Sequence, residues 1–263
     1  MSNNYYNEQV SEPNTANQNP YYNENLNKVD PESQSRNNQL NSNINDSMRL
    51  GFIRKVYGIL TAQLTLTALV ASIGFMDSVK EYYATTMAPF WICFALTIII
   101  IIPLACFKDI ARKVPINYIL LFGFTFCESI MISYAIASVP DWKVVMMAAL
   151  LTIAVTLALT VYACTTETDF TFLGGFLFVV ITVLFFFGFF SILFGSNYIV
   201  RTIYCCLGVL AYSIYLIIDT QLVMGKFGSM YSVEDYIFAA LNIYLDIIQL
   251  FLYILSLLSN NRS

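Results

Sequence analysis

The sequence predicts an all-α membrane protein: a bundle of seven transmembrane helices preceded by a disordered N-terminal tail. Three observations support this fold class. Hydrophobic residues make up 58% of the 263 residues and charged residues only 11%, whereas soluble domains carry about 25% charged residues. The hydrophobic residues fall into seven long runs, each close to the roughly 20 residues that cross a bilayer as a helix. The first 48 residues have the opposite composition.

The tail, residues 1–48, is rich in Asn, Ser, Gln and Glu and almost free of aliphatic side chains. Such a segment buries too little apolar surface to offset the entropy lost on folding, so disorder is predicted. The expected division is therefore a disordered Asn/Tyr-rich tail at 1–48 and a seven-helix transmembrane domain at 49–263.

The seven candidate spans follow one another with short polar breaks between them. They cover residues 56–76, 89–107, 115–138, 143–163, 172–194, 200–223 and 236–258. The fifth and sixth are the hardest to divide, because residues 170–200 carry no charge and only Gly195-Ser196-Asn197 marks a turn. Short connections favour antiparallel neighbours within one bundle.

Basic residues precede the first span and follow the second: Arg49, Arg54, Lys55, Lys108, Arg112 and Lys113. Because cytoplasmic loops carry an excess of Lys and Arg, this bias predicts a cytosolic N-terminus. Seven full spans place the C-terminus on the opposite side, whereas a re-entrant last segment would return it to the cytosol. The choice among endoplasmic reticulum, Golgi and plasma membrane also stays open.

The composition excludes several classes of site. The chain contains no His, which excludes a Ser-His or Cys-His catalytic pair and a His-ligated metal. Its six cysteines lie in or beside hydrophobic runs without a C-x-x-C pair, which favours apolar packing over a disulfide framework. No broad basic surface suggests nucleic acid as a partner, and no cofactor is predicted. The expected partners are the lipid bilayer and small ions.

Two acids interrupt the last two spans, Asp219 in IYLIIDTQLV and Asp246 in LNIYLDIIQLF. A carboxylate near the centre of a membrane helix costs about 2.5–3.5 kcal/mol on insertion scales. An ionisable residue at that depth is therefore a functional hypothesis, although simple hydrogen bonding to a neighbouring group is the alternative.

The two aspartates are expected to meet. The sixth and seventh spans are joined by a short loop, so antiparallel packing would place both acids at a similar depth. Close carboxyl groups share one proton and titrate in two coupled steps, and losing that proton leaves like charges that repel. Their oxygens also suit transient binding of a hard cation such as calcium. A polar stripe on one face of the seventh span, Asn242, Asp246, Gln249 and Tyr253, suggests that this span faces inward on several sides.

Two further residues are weaker candidates. Glu128, in FTFCESI, either lines the same cavity or has a structural role. Arg112, at the cytosolic end of the second span, is either a topology charge or a latch that pairs with one of the aspartates.

At these residues the sequence resembles the transmembrane Bax inhibitor motif family, particularly its Lifeguard branch. The stretches that carry the resemblance are FIRKVYGILTAQLTLTA (52–68), RKVPINYILLFGFTFCES (112–129), TTETDFT (165–171), YSIYLIIDTQLVMG (212–225) and EDYIFAALNIYLDIIQLFLYILSLL (234–258). The last two are the most specific. The resemblance implies a Bax-inhibitor-type domain whose seventh helix is central, and an aspartate pair that senses pH at Asp219 and Asp246. It also implies a basic latch, for which Arg112 is the nearest counterpart and Lys108 or Lys113 the alternatives.

The function that the resemblance implies is a pH-sensitive calcium leak channel that regulates calcium homeostasis and inhibits cell death. A non-conducting membrane scaffold that acts through cell-death regulators is the alternative. An intramembrane aspartyl protease is disfavoured because Asp246 lies in IYLD rather than in G-x-G-D, and no P-A-L follows. The chain is accordingly not expected to be an enzyme.

Overall fold

The computed structural model describes residues 31–194, 197–228 and 231–260, and within these it is built of helices without a strand. Nine α-helices lie in the described residues: α1 Pro31–Ala71, α2 Asp77–Thr85, α3 Ala88–Cys106, α4 Lys108–Arg112, α5 Ile116–Ala137, α6 Trp142–Thr165, α7 Gly174–Phe194, α8 Tyr198–Met224 and α9 Tyr236–Asn260. Short 3₁₀ turns at Ser72–Phe75 and Thr171–Leu173 precede α2 and α7.

Seven of the described helices, α1, α3 and α5 to α9, are long and apolar enough to cross a membrane. The predicted seven-helix membrane fold is therefore confirmed. The uncertain division between the fifth and sixth spans falls where α7 ends at Phe194 and α8 begins at Tyr198. Of the predicted turn, Asn197 is extended and precedes α8, while residues 195–196 lie outside the described part.

The N-terminal segment differs from the expectation over part of its length. Helix α1 begins at Pro31, so residues 31–48, expected to be disordered, are helical; residues 1–30 lie outside the description. Neither Gly nor Pro occurs from Glu32 to Met48, so nothing breaks a helix there, and Arg36 pairs with Glu32 one turn away at 2.9 Å. A polar composition indicates that a segment cannot form a hydrophobic core. It does not prevent a helix, because a helix is held by hydrogen bonds within the segment itself. The chain divides into one compact unit ending at Ser47 and a second from Met48 to Ser263.

Within the second unit, α9 is the central helix, as predicted. It packs against α8, α6, α5 and α4. Six of the eight side chains from Ile237 to Tyr244 are buried, on several faces of the helix. A helix that is buried on most sides belongs in the middle of a bundle.

Hydrogen bonds join the central helix to its neighbours. Thr67 of α1 shares a hydrogen bond with the Tyr244 hydroxyl of α9 at 2.9 Å, and Ser129 of α5 donates to Thr67 at 3.2 Å. Gln63 of α1 donates to Thr125 of α5 at 2.9 Å. Because lipid tails are as apolar as the side chains they meet, such bonds and close packing hold membrane helices together.

Helix α8 ends where Gly225 adopts a left-handed conformation, φ 73°, and its N–H donates to the Gln221 carbonyl at 2.9 Å. Glycine is favoured there because a Cβ strains this conformation. Arg49 completes the end of the helix by donating to the carbonyls of Leu222 at 2.5 Å and Tyr231 at 3.3 Å. This terminus lies close behind Asp219 and so helps to position it.

Candidate ion site

Asp219 and Asp246 lie opposite each other between α8 and α9. Both side chains are buried, with only 8% and 5% of their surface exposed, and their carboxyl groups are within hydrogen-bonding reach of each other. The antiparallel packing of consecutive helices brings them together: Asp219 lies in the last two turns of α8, and Asp246 lies in the first half of α9.

The pair opens onto a cavity of about 260 Å³. Its lining consists of both aspartates together with Ile181, Tyr212, Tyr215, Asn242, Leu245 and Gln249. Two of the expected neighbours, Asn242 and Gln249, thus share the cavity with the aspartates, because residues 242, 246 and 249 fall on one face of a helix. The cavity is large enough for water or a partly hydrated ion.

One oxygen of the pair has an unmet hydrogen-bonding capacity. Oδ2 of Asp246 is buried without a hydrogen-bond partner in the described structure, and a buried polar atom in that state is costly unless water or a cation satisfies it. Among the described residues no third His, Cys, Asp or Glu joins the pair to form a metal-binding cluster. The two carboxylates and the two amides supply oxygen atoms, the kind of ligand that hard cations such as calcium take.

Asn242 is held in place from the α8–α9 connection. Its side-chain amide donates to the hydroxyl of Tyr231 at 2.9 Å. Burial raises the pKa of Tyr231, so the phenol stays neutral beside the cavity. Tyr231 was not expected from the sequence, because it lies among the polar residues between two spans and only the fold brings it back to α9.

A second, larger cavity of about 740 Å³ adjoins the first, and both are lined by Ile181, Tyr212 and Gln249. It continues between α3, α7, α8 and α9 to Arg201 and Ser256. The distance along α8 from Asp219 to Arg201 is about 27 Å at about 1.5 Å per residue. The residues that line the two cavities are therefore spread over most of a membrane-spanning length of α8, since the hydrocarbon core of a bilayer is about 30 Å thick.

Arg112 does not contact the aspartate pair. Its Nε and Nη2 each lie 2.8 Å from Oδ1 of Asp235, and its Nη1 lies 3.4 Å from Glu234. The hydrogen bond that Arg112 donates to the Asp235 carboxylate raises the pKa of Arg112. Helix α4 ends at Arg112 beside the start of α9, while Asp246 lies about 16 Å further along that helix, so Asp235 takes the place of the expected partner. The side chain of Lys108 lies outside the described part.

Glu128 lies away from both cavities. It is partly buried on α5, close enough to Cys93 of α3 and Tyr244 of α9 to interact with them electrostatically. It is absent from the residues that line the aspartate cavity, so the structure separates it from the other two intramembrane acids.

The fold and site together define a multi-pass membrane protein with a buried carboxylate pair beside a polar cavity. Residues 49–263 match the family described as inhibitor of apoptosis-promoting Bax1, and the chain belongs to that family. It is 34% identical over 219 residues to protein lifeguard 3 of Homo sapiens, covering 82% of this chain and 70% of that protein. It is 39% identical over 217 residues to protein LIFEGUARD 4 of Arabidopsis thaliana, covering 80% of this chain and 85% of that protein. The resemblance predicted from the sequence is confirmed.

Proposed function

We propose that the protein is a cation leak pathway, with calcium as the transported ion, whose conductance is controlled by the protonation of Asp219 and Asp246. The observation that carries this proposal is the buried aspartate pair lining a cavity that adjoins a second one. Burying a charged pair deep in a membrane protein costs free energy. A role in an ion pathway explains why such a pair is present.

The proposed route begins at the aspartates, passes Gln249 and ends near Arg201 and Ser256. Carboxylate and amide oxygens at its inner end suit a hard cation. Among the described residues only two acids line that end, which favours passage, because an ion must bind weakly enough to leave.

Sensitivity to pH follows from the direct contact between two like groups. With one proton shared, the two carboxyl groups hold α8 and α9 together. With that proton lost, two negative charges repel each other and attract cations. Calcium flux is therefore expected to rise as the pH rises through the titration of the pair.

The biological role proposed with this activity is regulation of calcium homeostasis, together with the inhibition of cell death that the description of the family suggests. The proposed location is the endoplasmic reticulum, Golgi or plasma membrane, with the N-terminus in the cytosol. Cell-death regulators are the proposed protein partners.

The test is calcium flux from liposomes that contain the purified full-length chain, measured between about pH 6 and pH 8. The parent protein should pass calcium at a rate that depends on pH, and Asp219→Asn with Asp246→Asn should remove that dependence. Glu128→Gln is the matched control, since it neutralises an intramembrane acid that lies outside the cavities. An unchanged pH profile in the double variant would count against the mechanism.

The family description also leaves room for a non-conducting scaffold that acts through protein partners. This alternative predicts that the double Asn variant still protects cells from death. Measuring flux and protection on the same variants separates the two functions, because the leak mechanism requires that both change together.

A further inference from the structure

We infer that Tyr212 is the gate of the proposed cation route, positioned by the ring of Tyr253, which is seated on Gly208. The inference rests on the proposed function and names the residues that would set the size of its narrowest passage. Ile181, Tyr212 and Gln249 line both cavities, so they lie where the two cavities adjoin.

Tyr212 is the bulkiest of the three shared residues. Its ring centroid lies 6.3 Å from that of Tyr215, which lines the aspartate cavity, and 5.8 Å from that of Tyr253, which lines the larger one. The ring of Tyr212 therefore stands between the aspartates and the rest of the route. Gln249 adds a polar side chain at the same level. The narrow passage between the cavities, here called the neck, is therefore lined by an aromatic ring, an aliphatic side chain and one amide.

The ring of Tyr253 is held against bare backbone. A Cβ added at Gly208 would lie 2.6 Å from Cε1 and Cζ of Tyr253, a separation that real side chains do not show. The absence of a side chain at position 208 therefore creates the space in which the ring sits. Since Tyr253 packs on Tyr212, the glycine sets how far both rings extend toward the neck.

The hydroxyl of Tyr253 is fixed from the other side. It lies 3.0 Å from the hydroxyl of Tyr204, and Tyr204 in turn packs on α7, where its ring centroid is 5.6 Å from that of Phe187. A Cβ at Gly188 would lie 2.6 Å from the Tyr204 hydroxyl oxygen. Three tyrosines, Tyr204, Tyr253 and Tyr212, thus form a series from α7 to the neck. The first two each occupy space that a glycine leaves open.

This arrangement suits a gate rather than packing alone. A tight apolar or aromatic constriction blocks ions by excluding the water that accompanies them. Rotation of one ring by a side-chain dihedral change would open it, without any shift of the helices.

The first test is calcium flux through the full-length protein in liposomes. Tyr212→Ala should raise the rate by about threefold or more because the neck loses its largest side chain, whereas Tyr212→Phe keeps the ring and should behave like the parent. Gly208→Ala should lower the rate by pushing the Tyr253 ring toward Tyr212. That effect should vanish in a Tyr253→Ala background, because the methyl group then meets no ring. Leu210→Ala is the control, since Leu210 is 61% exposed on the outer surface of α8.

The second test does not need calcium transport. In a chain whose native cysteines are replaced, a single Cys is placed at Leu245, in the aspartate cavity, or at Ser256, at the far end of the larger one. A charged thiol reagent added on the Ser256 side of sealed liposomes should modify the Ser256→Cys variant quickly and the Leu245→Cys variant slowly. Tyr212→Ala should speed modification of Leu245→Cys and leave Ser256→Cys unchanged.

The two tests separate the two proposals. If the parent passes no calcium but thiol access follows the expected pattern, the leak function fails and the gate at Tyr212 stands. If the parent leaks while Tyr212→Ala changes neither flux nor access to Leu245→Cys, the gate is overturned and the leak stands. A slow reaction at Ser256→Cys would show that the larger cavity is closed to water, and would overturn the gate as well.

Discussion

Arg112 and Asp235 tie α4 to the start of the central helix: Nε and Nη2 of the arginine both lie 2.8 Å from one carboxylate oxygen of the aspartate. The other oxygen of Asp235 accepts a hydrogen bond from the backbone N–H of Ser232 at 3.1 Å. Asp235 therefore orients the segment that precedes α9, and the α9 residues that follow carry the polar stripe.

Arg112→Gln should lower stability modestly and leave the pH response intact. The pair is partly exposed, so its loss should lower the unfolding temperature only slightly, and by less at high salt. The pKa of Arg112 is raised, so its stabilising contribution is fully present below the ordinary guanidinium pKa and constant from pH 6 to pH 8. Thermal unfolding in detergent at two salt concentrations measures this. A flux profile that lost its pH dependence would mean that Arg112 acts on the aspartates after all.

Asp246→Asn should make thermal stability less sensitive to pH. In the parent, the shared proton is lost as the pH rises, and the two carboxylates then repel each other inside the fold while the unfolded chain is little affected. The unfolding temperature of the parent should therefore fall toward pH 8 more steeply than that of the variant. Leu210→Ala, on the outer surface of α8, serves as the control and should retain the slope of the parent. Parallel curves for the parent and Asp246→Asn would contradict the shared proton.

Tyr244→Phe should destabilise the junction of α1, α5 and α9. The hydroxyl of Tyr244 is fully buried and bonded to Thr67 at 2.9 Å, so its removal should cost about 1 kcal/mol in unfolding free energy. Tyr162→Phe is the comparison, because Tyr162 is 45% exposed. Chemical or thermal unfolding in the same detergent should show the difference, and equal stabilities would mean that this hydrogen bond adds nothing to the bundle.

Gly225→Ala should destabilise the end of α8. A side chain at φ 73° costs about 1–2 kcal/mol, and the added Cβ would lie 2.7 Å from Nε and Nη2 of Arg49. Gly58→Ala is the matched control: it lies inside α1 with nothing within 4 Å of its added Cβ, so it should be neutral or slightly stabilising. Thermal unfolding measures both, and a neutral Gly225→Ala would mean that the turn after α8 adapts freely.

The number and order of the spans could be predicted because each span is a local property. A run of about twenty apolar residues predicts a membrane helix wherever it lies in the chain. The turn residues between runs locate the ends of each helix to within a few residues. The placement of Asp219 with Asp246 was also within reach, since consecutive antiparallel helices bring residues at equal distances from their connection to the same depth.

The residues that each charged side chain contacts could not be predicted from the sequence in the same way. Arg112 pairs with Asp235 instead of a membrane-embedded aspartate, and Glu128 faces Cys93 and Tyr244 instead of the cavity. Both outcomes depend on the distances between helices and on how each helix is rotated about its axis. A local stretch of sequence carries no information about either. Arg49 gave only a topology signal in the sequence, yet it completes the end of α8.

The sequence by itself determined that this protein lies in a bilayer, that its last two spans each carry an acid, and that it belongs to the Bax inhibitor family, because hydropathy and motif order are written residue by residue. Only the tertiary structure decided that the two acids share a cavity with Asn242 and Gln249, and that Tyr212 lines both this cavity and a larger one reaching Arg201. Cavities are defined by the gaps between side chains on different helices, and those gaps exist only once the helices have packed.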